Sequence, residues 1–237
     1  SGKWGEANWV LANDGELIFF GGNIGHPSQS LPEVLREANI DPAAVKSIEF
    51  TTKTSANNIS RAFVDLPELQ KVLKLGNLNY SGSTDSMFLS ATNLEEIDLA
   101  GFDTSKISSM EYMFFGIKAS TLDVSKFDTS NVTNMRGMFD GASNLTSLDL
   151  SNFDTSKVTD MNYMFLGAEK LEHLDINNFN TASVRSMESM FSRMKALEKL
   201  DLSSFTISEN TDSQAMFSQT NLSLIHISEP TRRRGIS

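Results

Sequence analysis

A Met-Phe dipeptide recurs along this chain at a nearly constant interval. Consecutive copies are separated by 26, 25, 26, 26 and 26 residues. A fixed period of this size is typical of proteins in which small units stack and each unit contacts only its neighbours. Such an array presents a long repeated surface and no single deep pocket. The copies are Met87-Phe88, Met113-Phe114, Met138-Phe139, Met164-Phe165, Met190-Phe191 and Met216-Phe217.

Alignment on these dipeptides divides residues 48–221 into seven units of 24 to 26 residues. Two consecutive units read LDVSKFDTSNVTNMRGMFDGASNLTS (122–147) and LDLSNFDTSKVTDMNYMFLGAEKLEH (148–173). Similarity between the units decreases toward the N-terminus. The units begin at residues 48, 73, 97, 122, 148, 174 and 200.

Each unit joins two apolar periods. Leu148 and Leu150 alternate as in a short β-strand. Val158, Met161 and Met164 then follow the spacing of one face of a helix or of 3₁₀ turns. No unit can bury its apolar residues alone, so we expect an α/β solenoid of short parallel strands plus short helices, with its sheet about 30 Å long. The predicted core columns are Phe102, Phe127, Phe153, Phe179 and Phe205, and Met113, Met138, Met164 and Met190.

The repeat also carries a family resemblance. L-x-x-L-x-L with a period of 20–29 residues is a leucine-rich repeat signature. The longer pattern FDTSxVTxMxxMFxGAxxLxxLDLSxF resembles the BspA-type leucine-rich repeat of bacterial surface proteins. Many members of that family carry Cys where this chain has Ala142 and Ala168, and both choices are small. The resemblance implies a leucine-rich-repeat solenoid that is extracellular, at the cell surface, and acts in adhesion or protein binding.

The N-terminal 47 residues do not repeat. Trp4 to Leu11 and Leu17 to Phe20 read as two strands around the turn Asn13-Asp14-Gly15. This resembles the lead-in hairpin of the same family, and we expect residues 1–47 to form a β-hairpin cap and linker over the open edge of the first unit. A short helix is predicted from Ser30, its N-cap, to Ala38.

The C-terminal segment differs from the repeats. Residues 222–232, LSLIHISEPTR, resemble a translated transposase adapter from DNA-sequencing libraries. A period of 26 after Leu197 and Leu200 leads to Ser223 and His226, which are not leucines. We therefore expect residues 222–237 to be an adapter-derived tail, with a genuine atypical cap as the alternative. The first Met is Met87, so we expect a truncated fragment whose signal and anchor lie elsewhere.

Composition limits the partners. The chain has no Cys and a net charge of −10, so it offers no thiolate metal site, and phosphate backbones would repel it. No stretch of 18 apolar residues predicts a membrane span. The histidines at 26, 173 and 226 have no catalytic partner at motif spacing. We expect no enzyme, cofactor, metal or nucleic acid, and no direct membrane insertion by this segment.

An aspartate column is the candidate binding site. One Asp lies between the apolar strand positions of each of five successive units, and like charges stacked about 5 Å apart repel each other. One interpretation is an acidic stripe that binds a cationic ligand or a basic protein. The other, which we favour, is that each carboxylate accepts local hydrogen bonds, for example from Ser125 or Ser151. The column is Asp98, Asp123, Asp149, Asp175 and Asp201.

Two further polar columns recur in successive units. Asp103, Asp128 and Asp154 are followed by Asn180 and Thr206 at the start of the turn segment, which favours a capping role over a charge role. A Thr column could bind ice or a crystal surface, although the intervening Asp and Ser argue against it. That column is Thr104, Thr129, Thr155 and Thr181.

The leading functional hypothesis is a non-catalytic adhesion or protein-interaction module, with a host or bacterial surface protein or glycan as partner. It rests on the family resemblance and on the variable side chains that the units expose. The alternatives are a structural stalk and a substrate-positioning appendage of a larger surface protein or enzyme.

Overall fold

The computed structural model describes residues 1–25, 29–57 and 60–227. A cap is followed by an array of similar turns that share one continuous core. The elements before the array are β1 (Gly2–Trp4), β2 (Ala7–Leu11), β3 (Glu16–Gly25), α1 (Leu31–Glu37) and a 3₁₀ turn (Pro42–Ala44). Those within it are β4 (Ser47–Asn57), β5 (Lys71–Leu73), a 3₁₀ turn (Leu75–Asn77), β6 (Leu78–Ser83), β7 (Glu96–Ile97), β8 (Ile107–Ser109), β9 (Lys199–Asp201) and β10 (Leu224–His226).

The cap contains the predicted hairpin and one additional strand. β2 and β3 pair antiparallel around the predicted turn. The first apolar segment is not one strand, however, because Gly5 has a φ of 60° and lets the chain reverse between β1 and β2. β3 then pairs in parallel with β4, which joins the cap to the array. α1 follows Ser30, whose backbone N–H donates to the Glu33 carboxylate at 2.6 Å.

The array is a parallel solenoid, as predicted, but its strand pairing is distributed differently. At the Leu-x-Leu positions β4 pairs with β5, β5 with β7, and β9 with β10. In the described units that begin at 122, 148 and 174, the predicted strand is absent. The chain turns immediately after the Leu-x-Leu positions in these units: Asp149 accepts the N–H of Ser151, and the N–H of Phe153 bonds to the carbonyl of Leu150.

A second ladder, which the sequence reading did not anticipate, runs along another side of the array. It begins with the parallel pairs β4–β6 and β6–β8. Single parallel bridges between successive units then continue it to the last unit, so it spans the region where the first ladder is interrupted. These bridges join Ser109 to Asn134, Asn134 to Asp160, Asp160 to Ser186, and Ser186 to Asp212.

The short helix predicted in each unit is wrong. The segment after Val158 forms consecutive hydrogen-bonded turns, and the described array residues contain no α-helix. The N–H of Met164 bonds to Met161 in its own unit at 3.3 Å, whereas the N–H of Phe165 bonds to Met190 of the next unit at 3.0 Å. An α-helix would need both donors for carbonyls four residues earlier. The alternative of 3₁₀-like turns fits, because the bonds inside the unit join residues three apart.

Two ladders of stacked phenylalanines fill the core. In one, the Phe153 ring lies 6.5 Å from both Phe127 and Phe179 with interplanar angles of 4°. In the other, the Phe165 centroid lies 5.7 Å from Phe139 and 6.0 Å from Phe191. Both columns are buried, and so are the Met residues that precede the second ladder. Each Met-Phe dipeptide therefore fills the core of one unit, and its period is the number of residues in one turn of the solenoid.

A buried threonine column joins neighbouring units through both functions of its hydroxyl group. Thr155 Oγ1 donates to the carbonyl of Asn180 at 2.9 Å and accepts the N–H of Asn180 at 2.8 Å. Thr104, Thr129 and Thr181 make the same pair of bonds with the following unit. All four are at most 2% exposed, which excludes the proposed ice-binding role for them.

The structure continues the repeat at the C-terminal end. β9 pairs with β10 at an offset of 25 residues, so Leu200 lies opposite Ile225. Leu222 and Ile225 pack against the core and are partly buried. They take the positions that a period of 26 would give to Ser223 and His226. Residues 228–237 lie outside the described residues, and the adapter origin of the tail stays a prediction.

Phe153→Ala is expected to lower the free energy of unfolding by about 3–5 kcal/mol, because it removes a ring from a stack in which neighbours cannot close the cavity. Urea unfolding followed by circular dichroism measures the change. Phe20→Ala is the control, since Phe20 is 46% exposed and should lose far less. Equal losses for the two variants would contradict the role of the ladder.

Thr155→Val keeps the side-chain shape but removes both hydroxyl bonds, leaving the N–H and carbonyl of Asn180 without that partner. We expect a loss of about 1–3 kcal/mol in the free energy of unfolding. Thr121→Val, at an exposed position, should be close to neutral in the same measurement. Retained stability in Thr155→Val would mean that these bonds contribute nothing net.

Candidate interaction surface

The predicted aspartate column is locally satisfied. Asp123 and Asp149 each accept a backbone N–H and a hydroxyl from the Ser two residues later, with the hydroxyl bond at 2.6 Å in both. These bonds, the side-chain bond first, lower the pKa of Asp149 below its ordinary value. The bonds of the remaining three run from Ala100 to Asp98, from Asn177 to Asp175 and from Ser203 to Asp201. This geometry agrees with the interpretation in which each carboxylate of the column accepts hydrogen bonds from its own turn.

The second polar column has the same form. Asp154 accepts the N–H of Ser156 at 2.9 Å, and Asn180 accepts that of Ala182 at 3.0 Å. Side-chain and backbone bonds from Ser156 lower the pKa of Asp154. An amide replaces the carboxylate at Asn180 without loss of this bond, so the position serves to close a turn.

Of the histidines that the structure describes, His173 and His226 line one groove together with Asp175 and Asp201. His173 is exposed, and His226 Nδ1 lies 3.1 Å from Asp201 Oδ1. His26 lies outside the described residues. Among the residues that the structure does describe, no three His, Asp or Glu side chains are grouped so as to hold a metal ion.

A different surface stands out on the turn side of the array, beside the second ladder. Arg136 Nε donates to the Tyr112 hydroxyl at 3.3 Å, and its guanidinium lies 4.9 Å from the centroid of the Tyr163 ring. Arg136 also lies 3.6 Å from the Asp160 carboxylate. Three successive units thus contribute to one contact network, which we call the tyrosine–arginine strip (Tyr112, Arg136 and Tyr163).

The strip is partly exposed and held in place. The Arg136 side chain is 33% exposed, and the two tyrosines are intermediate in exposure. A hydrogen bond with Glu188 raises the pKa of Tyr163, and the Tyr112 hydroxyl likewise raises the pKa of Arg136. Arginine and tyrosine are, with tryptophan, the residues enriched at the energetic centres of protein interfaces.

Glycine makes room for this arrangement at one position. Gly137 occupies the place in its unit that Tyr112 and Tyr163 occupy in theirs. A Cβ atom at Gly137 would lie 2.0 Å from Cε1 of Tyr112. The Tyr112 ring therefore lies across the next unit, and it also meets Phe115 edge-to-face at 5.6 Å.

Asp140 is the unusual charged group beside the strip. It immediately precedes Gly141, and Gly116 and Gly167 stack on that glycine from either side. The stacking brings Phe115, Asp140 and Leu166 into one column, because the N–H of Gly116 bonds to Asp140 and that of Gly141 bonds to Leu166. Burial raises the pKa of Asp140 to about 6, and the charge of Arg193 only partly opposes this effect.

Sequence reasoning missed this surface because it followed the columns that repeat. Arg136 and Asp140 are departures from the repeat, since other units carry Asn162 or Ser192 at those places, and the position of Tyr112 varies among Gly137, Tyr163 and Ser189. The available signal was the occurrence of aromatic and charged residues at otherwise variable positions near the Met-Phe dipeptide.

These features define a leucine-rich-repeat-like solenoid with a partly exposed aromatic and charged strip. Family comparison covers most of the chain. The chain belongs to the family described as "Mycoplasma protein of unknown function, DUF285", whose model matches residues 33–122 and 109–228.

Other comparisons add little. No curated protein matches this chain. Among solved structures, it is similar to a leucine rich cell surface protein from Faecalibacterium prausnitzii A2-165, with 11% identity, a TM-score of 0.28, and 97% of this chain and 96% of that chain covered. No helix among the described residues is long and apolar enough to cross a membrane.

The raised pKa of Asp140 has a defined effect on stability. Because the folded-state pKa of about 6 exceeds the ordinary 3.8, the folded chain holds this proton more tightly than the unfolded chain. The resulting stabilisation is complete below about pH 4 and is lost as pH rises through 6. Asp140→Asn should therefore raise the free energy of unfolding at pH 7.5, by on the order of 2 kcal/mol once solvent screening of the partly exposed carboxyl group is allowed for, and change it little at pH 4.

The measurement is urea unfolding at both pH values, with a ¹³C NMR titration of the Asp140 carboxyl group. Glu172→Gln is the control, since it removes one negative charge at an exposed position. A carboxyl titration near pH 4 would contradict the assigned desolvation, as would equal effects of the two substitutions at pH 7.5.

Proposed function

We propose that this chain is a non-catalytic interaction module of a bacterial cell-surface protein related to the BspA-type leucine-rich repeats, and that it binds a surface protein or glycan outside the cell. The observation that carries the proposal is the tyrosine–arginine strip. It is a partly exposed cluster of interface-type side chains on a backbone whose units are joined by repeated hydrogen bonds.

Rigidity supports this assignment. Side chains whose positions are fixed before binding lose less conformational entropy when a partner docks. Arg136 is already held by Tyr112, Tyr163 and Asp160, so its geometry is set in the free protein. The motif FDTSxVTxMxxMFxG supports the proposed relationship to the surface-protein repeats.

The binding test uses the purified chain on immobilised extracellular-matrix proteins, mucin and whole bacterial cells, with surface plasmon resonance or flow cytometry as readout. We expect saturable binding to at least one of these. The triple variant Tyr112→Ser, Arg136→Ser, Tyr163→Ser should reduce that binding at least tenfold, because it removes the strip.

A matched triple variant, Thr121→Ser, Lys126→Ser, Glu172→Ser, changes exposed side chains elsewhere and should bind like the native chain. Circular dichroism and the unfolding midpoint verify that both variants fold. An absence of saturable binding to the entire panel would contradict the proposed function and favour the structural-stalk alternative.

A further inference from the structure

The tyrosine–arginine strip borders a site with its own chemistry. Three equivalent turns in successive units lie side by side, and the N–H of the last residue in each bonds to the carbonyl of the first. The bonds join Phe115 to Tyr112 at 3.2 Å, Asp140 to Gly137 at 3.0 Å, and Leu166 to Tyr163 at 3.1 Å. The middle turn thus ends with the carboxyl group of Asp140. The turns on either side begin with a tyrosine and end with Phe115 or Leu166.

The absence of a side chain at Gly137 shapes this site. The flanking turns begin with tyrosines and the middle turn begins with glycine. The Tyr112 ring fills the space above Gly137 and contacts Phe115. The N–H of Gly116 bonds to the carbonyl of Asp140 at 2.8 Å, and that of Gly141 bonds to the carbonyl of Leu166 at 2.7 Å, so Asp140 lies between Phe115 and Leu166 in one column.

The two arginines around the site make their contacts elsewhere. Arg136 contacts Tyr112, Tyr163 and Asp160. Arg193 acts on Asp140 through its charge, but its guanidinium lies 3.6 Å from Glu169. No hydrogen bond or ion pair to the Asp140 carboxylate occurs among the described residues. A desolvated carboxylate in this setting has the most to gain from a cation that arrives from outside.

We infer that the column of Phe115, Asp140 and Leu166 is a docking site for a lysine side chain of the partner protein. The four-carbon stem of lysine would lie against Phe115 and Leu166 while its ammonium group pairs with Asp140. The net charge of −10 favours the approach of a basic segment. This inference rests on the proposed function, and it assigns the chemistry of the partner at that surface.

The probe is a capped pentapeptide, Gly-Gly-Lys-Gly-Gly, titrated into the ¹⁵N-labelled chain at pH 7.5. We expect saturable shifts of amide resonances confined to residues 112–116, 137–141 and 163–167. The same peptide with Nε-acetyl-lysine keeps the stem but removes the charge, and it should bind at least tenfold more weakly. Shifts spread over the acidic surface, or equal binding of both peptides, would overturn the inference.

Two variants test the site itself. Asp140→Asn should weaken binding of the lysine peptide at least tenfold, whereas Glu172→Gln, which removes the same charge from an exposed position, should not. Leu166→Lys places an ammonium group beside Asp140 from the neighbouring unit. It should abolish peptide binding and lower the carboxyl titration midpoint of Asp140. Unchanged peptide binding in either Asp140→Asn or Leu166→Lys would overturn the inference.

The two proposals can fail separately. If panel binding depends on Tyr112, Arg136 and Tyr163 but not on Asp140, the lysine site is wrong and the interaction module stands. If the lysine peptide binds at Asp140 but no panel member binds, the site stands as a lysine-binding site and the proposed adhesion function is wrong.

Discussion

Hydrogen bonds between successive units govern the rest of this structure. In the turn segment, every second N–H points to the next unit, as in the bonds from Tyr163 to Glu188 and from Gly167 to Ser192. The intervening N–H groups close turns within the unit. This division of donors excludes an α-helix and fixes the distance between units. The stacked phenylalanines and methionines then fill the interior at that distance.

The threonine column extends the same principle to side chains. A buried hydroxyl that both donates to and accepts from the next unit satisfies two backbone groups that would otherwise be desolvated. Because Thr104, Thr129, Thr155 and Thr181 all do this, the array needs no continuous Leu-x-Leu sheet. Its cohesion comes from several narrow columns of bonds.

At the surface, in contrast to the core, the positions that repeat are not the ones available to a partner. Polar columns that repeat, such as Asp123 and Asp149, are occupied by bonds to their own turns. The groups open to a partner lie where one unit departs from the others, as at Arg136 and Asp140. Departures of this kind are tolerated because each replaced side chain lies outside the stacked interior. Positions that repeat in every unit therefore maintain the solenoid, and positions that differ between units give this chain its particular surface.

The sequence by itself determined the period, the parallel stacking, the cap hairpin and the identity of the apolar buried columns. These follow from turn residues and from the spacing of apolar residues within each unit and between successive units. Tertiary structure decided whether the turn segment becomes a helix. The N–H of Phe165 bonds to the carbonyl of Met190 in the next unit, and that acceptor is within reach only once the units are stacked. It also decided the candidate site, since Phe115, Asp140 and Leu166 belong to three units, and only the rise of the solenoid brings them into one column.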